Sequence, residues 1–314
     1  MGKGLRIVTF NVFPPAYRLV AEWAARHGHQ LVLLVTVPGN HDDRYGDAYP
    51  DLVTLVPSTQ DVLVTTRLRR TGAPVIAALE PDLIVVATFP RRIPPEVTAI
   101  PRFGALNVHP TALPRGRGPN PQRAVYEGEP TVAVTLHRMD PEFDAGPILS
   151  QREVPRPADL TAPSLLQLWM DLSAVVLEEG VARAVAGETG EPQDHRLATY
   201  SPPFTEAERW LDWTEPALTL QRRAAALNVA APTAMAEVDG RPAVVLDVRA
   251  LRFPAPPVAP GTILRYSDDV VTVRVADGTV SVRLQGQRRL TGDLSGPTPS
   301  EPPRPAPAAG SAAK

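Results

Sequence analysis

Three polar side chains in the middle of the sequence have the types and spacing that acyl transfer requires. Asn107 and His109 lie two residues apart in the stretch 104–109, which predicts a strand, so both side chains point to the same face. Asp144 lies in a loop just before Gly146. When an amine attacks a carbonyl carbon, an amide and an imidazole can donate to the oxyanion, and a base must remove a proton from the nitrogen. The trio therefore suits transfer of an acyl group to an amine.

The elements that must position this trio alternate along the chain. Short apolar runs at 5–10, 30–37, 81–88 and 104–109 predict strands, and apolar residues recur at helical spacing in 16–27. Strands that alternate with helices predict a mostly parallel, Rossmann-like α/β sheet covered on both faces. In such a sheet the functional side chains lie at the carboxyl ends of the strands.

The chain divides into four predicted segments. We expect a catalytic domain at 1–186 and a linker rich in Gly, Pro and polar residues at 187–205. The segment 206–291 contains one helical pattern and several short strands with tight turns, which predicts a small OB-like β-barrel. The last segment, 292–314, is rich in Pro and Ala without periodicity and is expected to be disordered.

Composition excludes several classes of protein. The 314 residues carry 32 Lys plus Arg against 34 Asp plus Glu, a formal net charge of -2, which argues against a strongly basic nucleic-acid binder. With no cysteine, the chain has no disulfide, thiolate nucleophile or Cys-ligated metal. No apolar run is long enough to span a bilayer, and the N-terminus lacks a secretory pattern. We therefore expect a cytoplasmic protein without a membrane partner.

The order of the motifs resembles that of the formyltransferases that use 10-formyltetrahydrofolate. Their signature reads Asn-x-His-Pro-x-x-Leu-Pro-x-x-Arg-Gly, followed about 35 residues later by Asp-x-Gly-x-Ile. The sequence matches it at Asn107 to Pro110, Leu113 to Gly118 and Asp144 to Ile148. Further similarity to methionyl-tRNA formyltransferases extends the resemblance over roughly residues 80 to 290.

The resemblance implies a role for each residue of the trio and a site for the donor. Asn107 and His109 would polarise the formyl oxygen, and Asp144 would orient His109 and assist proton transfer. The pterin of 10-formyltetrahydrofolate would lie at the carboxyl edge of the sheet, and no metal is implied. The implied donor contacts are Phe89, Pro90, Arg91, Arg92, Ile93, Met139, Asp140 and Phe143.

The acceptor side departs from methionyl-tRNA formyltransferases. Those enzymes have Gly-Thr-Pro-x-Phe-Ala after the first strand, where this chain has different residues at 10–16. They also carry a basic insertion after the second strand, whereas the segment 39–51 holds one Arg and four Asp, which would repel a phosphate backbone. We therefore favour a small-molecule or carrier-bound amine over tRNA. The candidate acceptor contacts are Phe13, Tyr17, Arg115 and Arg117.

Other activities remain open at this stage. The main alternatives are formylation of initiator methionyl-tRNA and hydroxymethyl transfer from a tetrahydrofolate donor. A hydrolase that releases formate has the same trio but also a preceding regulatory domain, whereas the first predicted strand here begins at Leu5. A folate-binding protein without turnover is disfavoured because all three catalytic residue types are present.

Overall fold

The fold contains two β-sheets, each with its own helices, in a computed structural model that describes residues 4–38, 48–253 and 256–286. Most of segment 39–51 and the whole of the predicted tail lie outside these ranges. Among the residues described, no helix is long and apolar enough to cross a membrane.

The first sheet has seven strands in the order β3-β2-β1-β4-β5-β6-β7. The strands are β1 (Arg6–Phe10), β2 (Gln30–Thr36), β3 (Asp61–Val64), β4 (Leu83–Ala87), β5 (Ala105–His109), β6 (Thr131–Arg138) and β7 (Ile148–Pro155). The first five pair in parallel, and β6 and β7 add an antiparallel hairpin beside β5. The predicted Rossmann-like sheet is confirmed.

The helices cover both faces of this sheet. They are α1 (Pro14–Arg26), α2 (Ala48–Leu55), α3 (Ala73–Ala78), α4 (Pro95–Thr98), α5 (Arg123–Glu127) and α6 (Ala162–Val185). A capping box at Thr161 and Ser164 begins α6, since each side chain accepts from the other's backbone N–H. Along its 24 residues α6 packs mainly against β6 and β7.

Alternation along β5 decides which face carries the candidate catalytic residues. Leu106 and Val108 belong to the core under α1 and α6, whereas Ala105 belongs to the core under α3 and α4. Successive side chains of a strand point to opposite faces. Asn107 and His109 therefore project on the α3 and α4 side, at the carboxyl end of the strand.

The second sheet is antiparallel and five-stranded, in the order β10-β11-β12-β9-β8. It follows α7 (Ala217–Asn228) and consists of β8 (Met235–Val238), β9 (Arg241–Leu251), β10 (Ile263–Ser267), β11 (Val270–Arg274) and β12 (Thr279–Leu284). The helix α7 packs against α5 and α6 of the first unit as well as against β9. One continuous core thus joins the two sheets.

The segment between α6 and α7 returns along the first sheet. Glu191 makes an antiparallel bridge to Ile148 at the start of β7, and Tyr200 makes a parallel bridge to Arg117 in the loop after β5. This stretch is therefore held by backbone hydrogen bonds to the start of β7 and to the loop after β5.

Candidate active site

The structure brings Asn107, His109 and Asp144 together. The two residues of β5 lie beside the loop between β6 and β7 that carries Asp144. The amide Nδ2 of Asn107 donates to Asp144 Oδ1 over 3.2 Å, and His109 Nδ1 lies 3.7 Å from Asp144 Oδ2. The spacing of two residues in β5 thus places both side chains on one carboxylate.

The loop after β5 holds His109 and Asp144 through one hydrogen bond to each. His109 Nε2 donates to the carbonyl oxygen of Gly116 over 2.9 Å, because a carbonyl can only accept. The backbone N–H of Gly118 donates to Asp144 Oδ2 over 2.8 Å. This loop therefore orients the imidazole so that Nδ1 faces the carboxylate. For Nε2 to donate to the formyl oxygen of a substrate, its hydrogen bond to the Gly116 carbonyl must first break.

A fourth polar residue, His137, completes the cluster. It lies directly opposite Asn107 in the antiparallel register of β5 and β6. Its Nδ1 donates to the Arg138 carbonyl over 2.8 Å, which leaves Nε2 of the neutral ring as an acceptor for Asn107 Nδ2 at 3.1 Å. The sequence pattern ended this strand at Leu136, so His137 was missed. His137 lies two residues after the inward-facing Thr135 and therefore on the same face of the strand. This spacing is the sequence feature from which His137 could have been predicted.

The electrostatics of this cluster favour an ionised carboxylate. Burial alone would raise the pKa of the Asp144 carboxyl. The neighbouring His109 and His137 and the hydrogen bond from the Gly118 N–H lower it by more than burial raises it, so its pKa lies well below the ordinary value. A carboxylate that accepts several hydrogen bonds beside imidazoles is stabilised in its charged form. Asp144 is thus suited to stabilise a neighbouring positive charge, such as that of a protonated imidazole.

The glycine of the Asp-x-Gly motif is required by a close backbone approach. A Cβ atom on Gly146 would lie 1.9 Å from the carbonyl oxygen of Arg138. Asp144 itself adopts a φ of +51°, in the left-handed region that costs a residue with a side chain free energy. The loop therefore turns sharply against β6 and needs contacts that hold it there.

Three of the predicted donor contacts form an apolar wall on the same face as the trio. Ile93 is buried in the core under α3 and α4, and Phe89 and Met139 pack on it half-buried. The ring of Phe10, at the end of β1, meets Phe89 edge to face with centroids 5.1 Å apart. Phe89 follows the carboxyl end of β4, whereas the backbone N–H of Met139 donates to the Ala105 carbonyl at the start of β5. The wall therefore lies on the face of the sheet that carries Asn107 and His109.

The remaining predicted donor contacts lie around its rim. Pro90, Arg91 and Arg92 line an open, positively charged cleft of about 960 Å³ together with three further arginines, Arg67, Arg69 and Arg70. The guanidinium of Arg92 also lies 5.9 Å from the ring centroid of Phe143, which is 56% exposed. The exposed Asp140 accepts the backbone N–H of Glu142 at Oδ1.

The predicted acceptor contacts are not all in one place. Phe13 lines a small, mostly apolar cavity on the α1 and α6 side, together with Trp169, Met170 and Val229. Tyr17 is buried in a separate cluster with α2, and its hydroxyl donates to Gln60 Oε1 over 2.8 Å. The structure therefore separates Tyr17 from Phe13.

The two arginines of the signature loop also differ. Arg115 is exposed and lies 3.4 Å from Glu153. Arg117 is buried, and its Nε and Nη2 donate to Gln193 Oε1 over 3.1 and 2.7 Å. In this structure the guanidinium of Arg117 binds the segment after α6, and its predicted contact with the acceptor stays a prediction.

Two family models match the chain. The model described as formyl transferase matches residues 9–179, and the one described as formyl transferase, C-terminal domain, matches residues 203–293. Among proteins of similar sequence, the methionyl-tRNA formyltransferase of Roseiflexus sp. (strain RS-1) is 34% identical over 286 residues, which cover 88% of this chain and 86% of that protein. The methionyl-tRNA formyltransferase of Methylococcus capsulatus is 37% identical over 220 residues, which cover 69% and 71%.

Solved structures share the fold. HypX from Aquifex aeolicus in complex with tetrahydrofolic acid has a TM-score of 0.66 at 23% identity, covering 88% of this chain but 43% of HypX. WlaRD, a sugar 3N-formyl transferase, has a TM-score of 0.63 at 12% identity and is matched over its full length. The chain thus spans less than half of HypX, and at these identities the likeness concerns the fold.

Proposed function

This chain belongs to the formyltransferase family, and we propose that it transfers the formyl group of 10-formyltetrahydrofolate to the amine of initiator methionyl-tRNA. The family membership confirms the predicted enzyme class, a tetrahydrofolate-dependent formyltransferase. The observation that supports the proposed reaction is the convergence of Asn107, His109 and Asp144 at the carboxyl edge of the sheet.

The residues beside the trio fit the proposed donor. The half-buried side chains of Phe89 and Met139, in one cluster with the buried Ile93, offer an apolar surface to a flat pterin, and burial of such a ring is favourable. The adjoining arginine cleft offers positive charge to the carboxylates of the glutamate portion. When bound, 10-formyltetrahydrofolate supplies the formyl group that is transferred.

The trio divides the work of the transfer. The two N–H groups of Asn107 donate to Asp144 and His137 in this structure, so one of them must turn to the substrate to stabilise negative charge on its oxygen. Nδ1 of His109 faces the ionised Asp144 across 3.7 Å, so an imidazolium formed by taking a proton from the attacking amine is stabilised. That proton passes to the departing nitrogen of the donor as its bond to the formyl carbon breaks. His137 holds the Asn107 amide from the opposite strand.

Two observations support methionyl-tRNA as the acceptor. Relatives named methionyl-tRNA formyltransferase match the chain through both units, up to 88% of its length. The cavity beside Phe13 opens on the α1 and α6 side of the sheet, but its lining includes Val108 and Pro110, the two neighbours of His109, and is mainly apolar. An apolar cavity of this kind suits an unbranched apolar side chain better than a hydroxylated sugar. Because Val229 follows α7, the C-terminal unit contributes to the proposed acceptor site.

A small-molecule or carrier-bound amine is the second candidate. It is favoured by the four Asp in the segment 39–51 and by a net charge of -2, since both oppose recruitment of a phosphate backbone. Proteins of the same fold include the sugar 3N-formyl transferase WlaRD. The cytoplasmic location predicted from the sequence fits either acceptor.

The experiment that separates the two acceptors compares them directly. Purified protein and 10-formyltetrahydrofolate are incubated with initiator methionyl-tRNA, or with a panel of amino sugars, amino acids and other amines, and the products are identified by mass spectrometry. We expect formylated methionyl-tRNA and no formylated small amine. A formylated small amine together with unmodified tRNA would overturn the proposed acceptor and leave the proposed donor and chemistry in place.

A variant of the cavity tests the acceptor site itself. Phe13→Ala removes one wall and is expected to raise the KM for methionyl-tRNA by about 10-fold, with little change in the KM for the donor, because burial of an aromatic-sized apolar contact contributes about 1.5–3 kcal/mol. Phe253→Ala is the matched control, since Phe253 is 68% exposed and lies in the second unit. Equal KM values for both variants would contradict the placement of the acceptor.

A further inference from the structure

The segment after α6 reaches the catalytic loop through one glutamine. Gln193 Nε2 donates to the carbonyl oxygens of Asp144 and Gly146 over 2.8 and 2.7 Å, and its Oε1 accepts both bonds from Arg117. The side-chain amide therefore uses two donors and two acceptor positions, its full capacity. Gln193 is 7% exposed, so these bonds do not compete with bulk water.

The two loops that Gln193 joins are those that set the geometry of the trio. Arg117 lies between Gly116, whose carbonyl orients His109, and Gly118, whose N–H holds Asp144. On the other side, the carbonyl held by Gln193 belongs to Asp144 itself. By binding both loops, the Gln193 side chain fixes the distance between the Gly118 N–H and the Asp144 carboxylate that accepts its hydrogen bond.

Neighbouring residues of the same segment fix these loops from outside. Thr199 accepts the backbone N–H of Gly116 at its Oγ1 over 2.8 Å and the N–H of Arg117 at its carbonyl over 2.9 Å. Ser201 donates its N–H to the Arg117 carbonyl over 2.7 Å. The segment is therefore attached to the backbone of the signature loop at Gly116 and Arg117, in addition to the contact of Gln193 with the Arg117 side chain.

We propose that Gln193 is a positioning residue for the transfer, which holds the backbone of Asp144 so that its carboxylate stays against Gly118, His109 and Asn107. The conformation of Asp144 supports this role: a φ of +51° is unfavourable for a residue with a side chain and persists only where surrounding contacts hold it. Gln193 also lies between the two ranges that match the family models, 9–179 and 203–293. The connecting segment is thus part of the catalytic architecture. This inference rests on the proposed catalytic role of Asp144.

Two substitutions separate positioning from folding. Gln193→Ala removes all four hydrogen bonds. Gln193→Glu retains an acceptor for Arg117 but sets a carboxylate against the Asp144 and Gly146 carbonyls. We expect both variants to lower kcat by about 10-fold to 100-fold, because a displacement near 1 Å has that effect on catalysis. The KM values for both substrates are expected to stay within about 3-fold, since neither site includes Gln193.

Gln221→Ala is the matched structural control. Gln221 is equally buried, at 4% exposure, and its amide bridges the Leu160 carbonyl and the Ala250 N–H far from the trio. This variant is expected to lower Tm without changing kcat. Gln193→Glu is expected to lower Tm less than Gln193→Ala does, because its pairing with Arg117 remains.

The outcomes distinguish this inference from the proposed function on which it rests. Asp144→Asn is measured in parallel with the same substrates. If it is inactive while both Gln193 variants keep wild-type kcat, the positioning role is wrong and the proposed chemistry stands. If Asp144→Asn itself keeps wild-type kcat, the catalytic assignment fails. Hydrogen exchange at the Gly118 amide gives a readout that needs no acceptor substrate. We expect faster exchange there in Gln193→Glu than in the wild type, and unchanged exchange would also overturn the inference.

Discussion

The backbone N–H of Gly118 donates to Asp144 Oδ2 over 2.8 Å, across 26 residues of sequence. This bond joins the two motifs of the signature, because Gly118 ends the first and Asp144 begins the second. It also explains why Arg-Gly and Asp-x-Gly occur together: the first supplies a backbone donor, and the second supplies the carboxylate that accepts it.

Asn107→Ala tests the oxyanion donor. The substitution removes the amide that lies beside Asp144 and His137, and loss of one such donor lowers kcat by about 100-fold to 1000-fold. We expect the KM for the donor to change little, because the amide acts on charge that develops during reaction. Steady-state kinetics check this, with Asn228→Ala as a control, since Asn228 bonds β9 in the second unit. A kcat near that of the wild type would remove Asn107 from the catalytic trio.

The low pKa of Asp144 predicts how the effect of Asp144→Asn on kcat varies with pH. Because its pKa is held well below the ordinary value, the carboxylate is ionised throughout the range from about pH 5 to 9. Asp144→Asn should therefore lower kcat by the same factor at pH 6 and pH 8. A factor that approaches one at pH 6 would mean that the wild-type carboxyl is already protonated there.

Gly146→Ala tests the close approach of the catalytic loop to β6. The added methyl group would meet the Arg138 carbonyl at 1.9 Å, so the loop must move. Overpacking of this kind costs about 1–3 kcal/mol of folding free energy, and we also expect a loss of kcat. Gly278→Ala is the matched control, since no atom lies within 4 Å of its added methyl group. Thermal unfolding and kcat are measured for both, and equal values would contradict the predicted clash.

The lowered pKa of Glu208 predicts that the contact between the connecting segment and α5 weakens in acid. Its carboxylate binds Arg123 over 2.8 Å, and mainly through this hydrogen bond its pKa falls from 4.5 to about 2. A carboxyl whose folded-state pKa is lowered contributes stability above its unfolded pKa and loses it as pH falls through the folded value. We expect the stability of the wild type to exceed that of Glu208→Gln at pH 6, and the difference to shrink between about pH 4.5 and pH 2. Urea unfolding at several pH values measures it, and a difference that grows as the pH falls would contradict the assignment.

Local patterns were sufficient to predict the sheet and the trio. The strands β1, β2, β4 and β5 are continuous apolar runs, which is what burial on both faces requires. Asn107 and His109 are two residues apart in one of them, so their common face followed from strand geometry alone. Their partner Asp144 was found because the order and spacing of three short motifs match a family signature.

The residues that complete the site depend on contacts between distant segments. His137 faces Asn107 only because β6 runs antiparallel to β5 in one register, which apolar periodicity does not specify at the end of a strand. Tyr17 shows the opposite case: it follows the first strand as Phe13 does, yet it is buried against α2. Phe13 is the N-cap of α1 with an extended backbone, so helical spacing does not place the two side chains together.

The type of sheet and the enzyme family could thus be predicted from local periodicity and motif spacing, which also singled out the three proposed catalytic residues. The contacts that hold those residues in place depend on the tertiary fold. Gln193 lies in a stretch that reads as a linker, and its role arises from hydrogen bonds to residues 49 and 76 positions earlier. Such bonds form only after the sheet and α6 have brought the segment back across the site, so no local pattern encodes them.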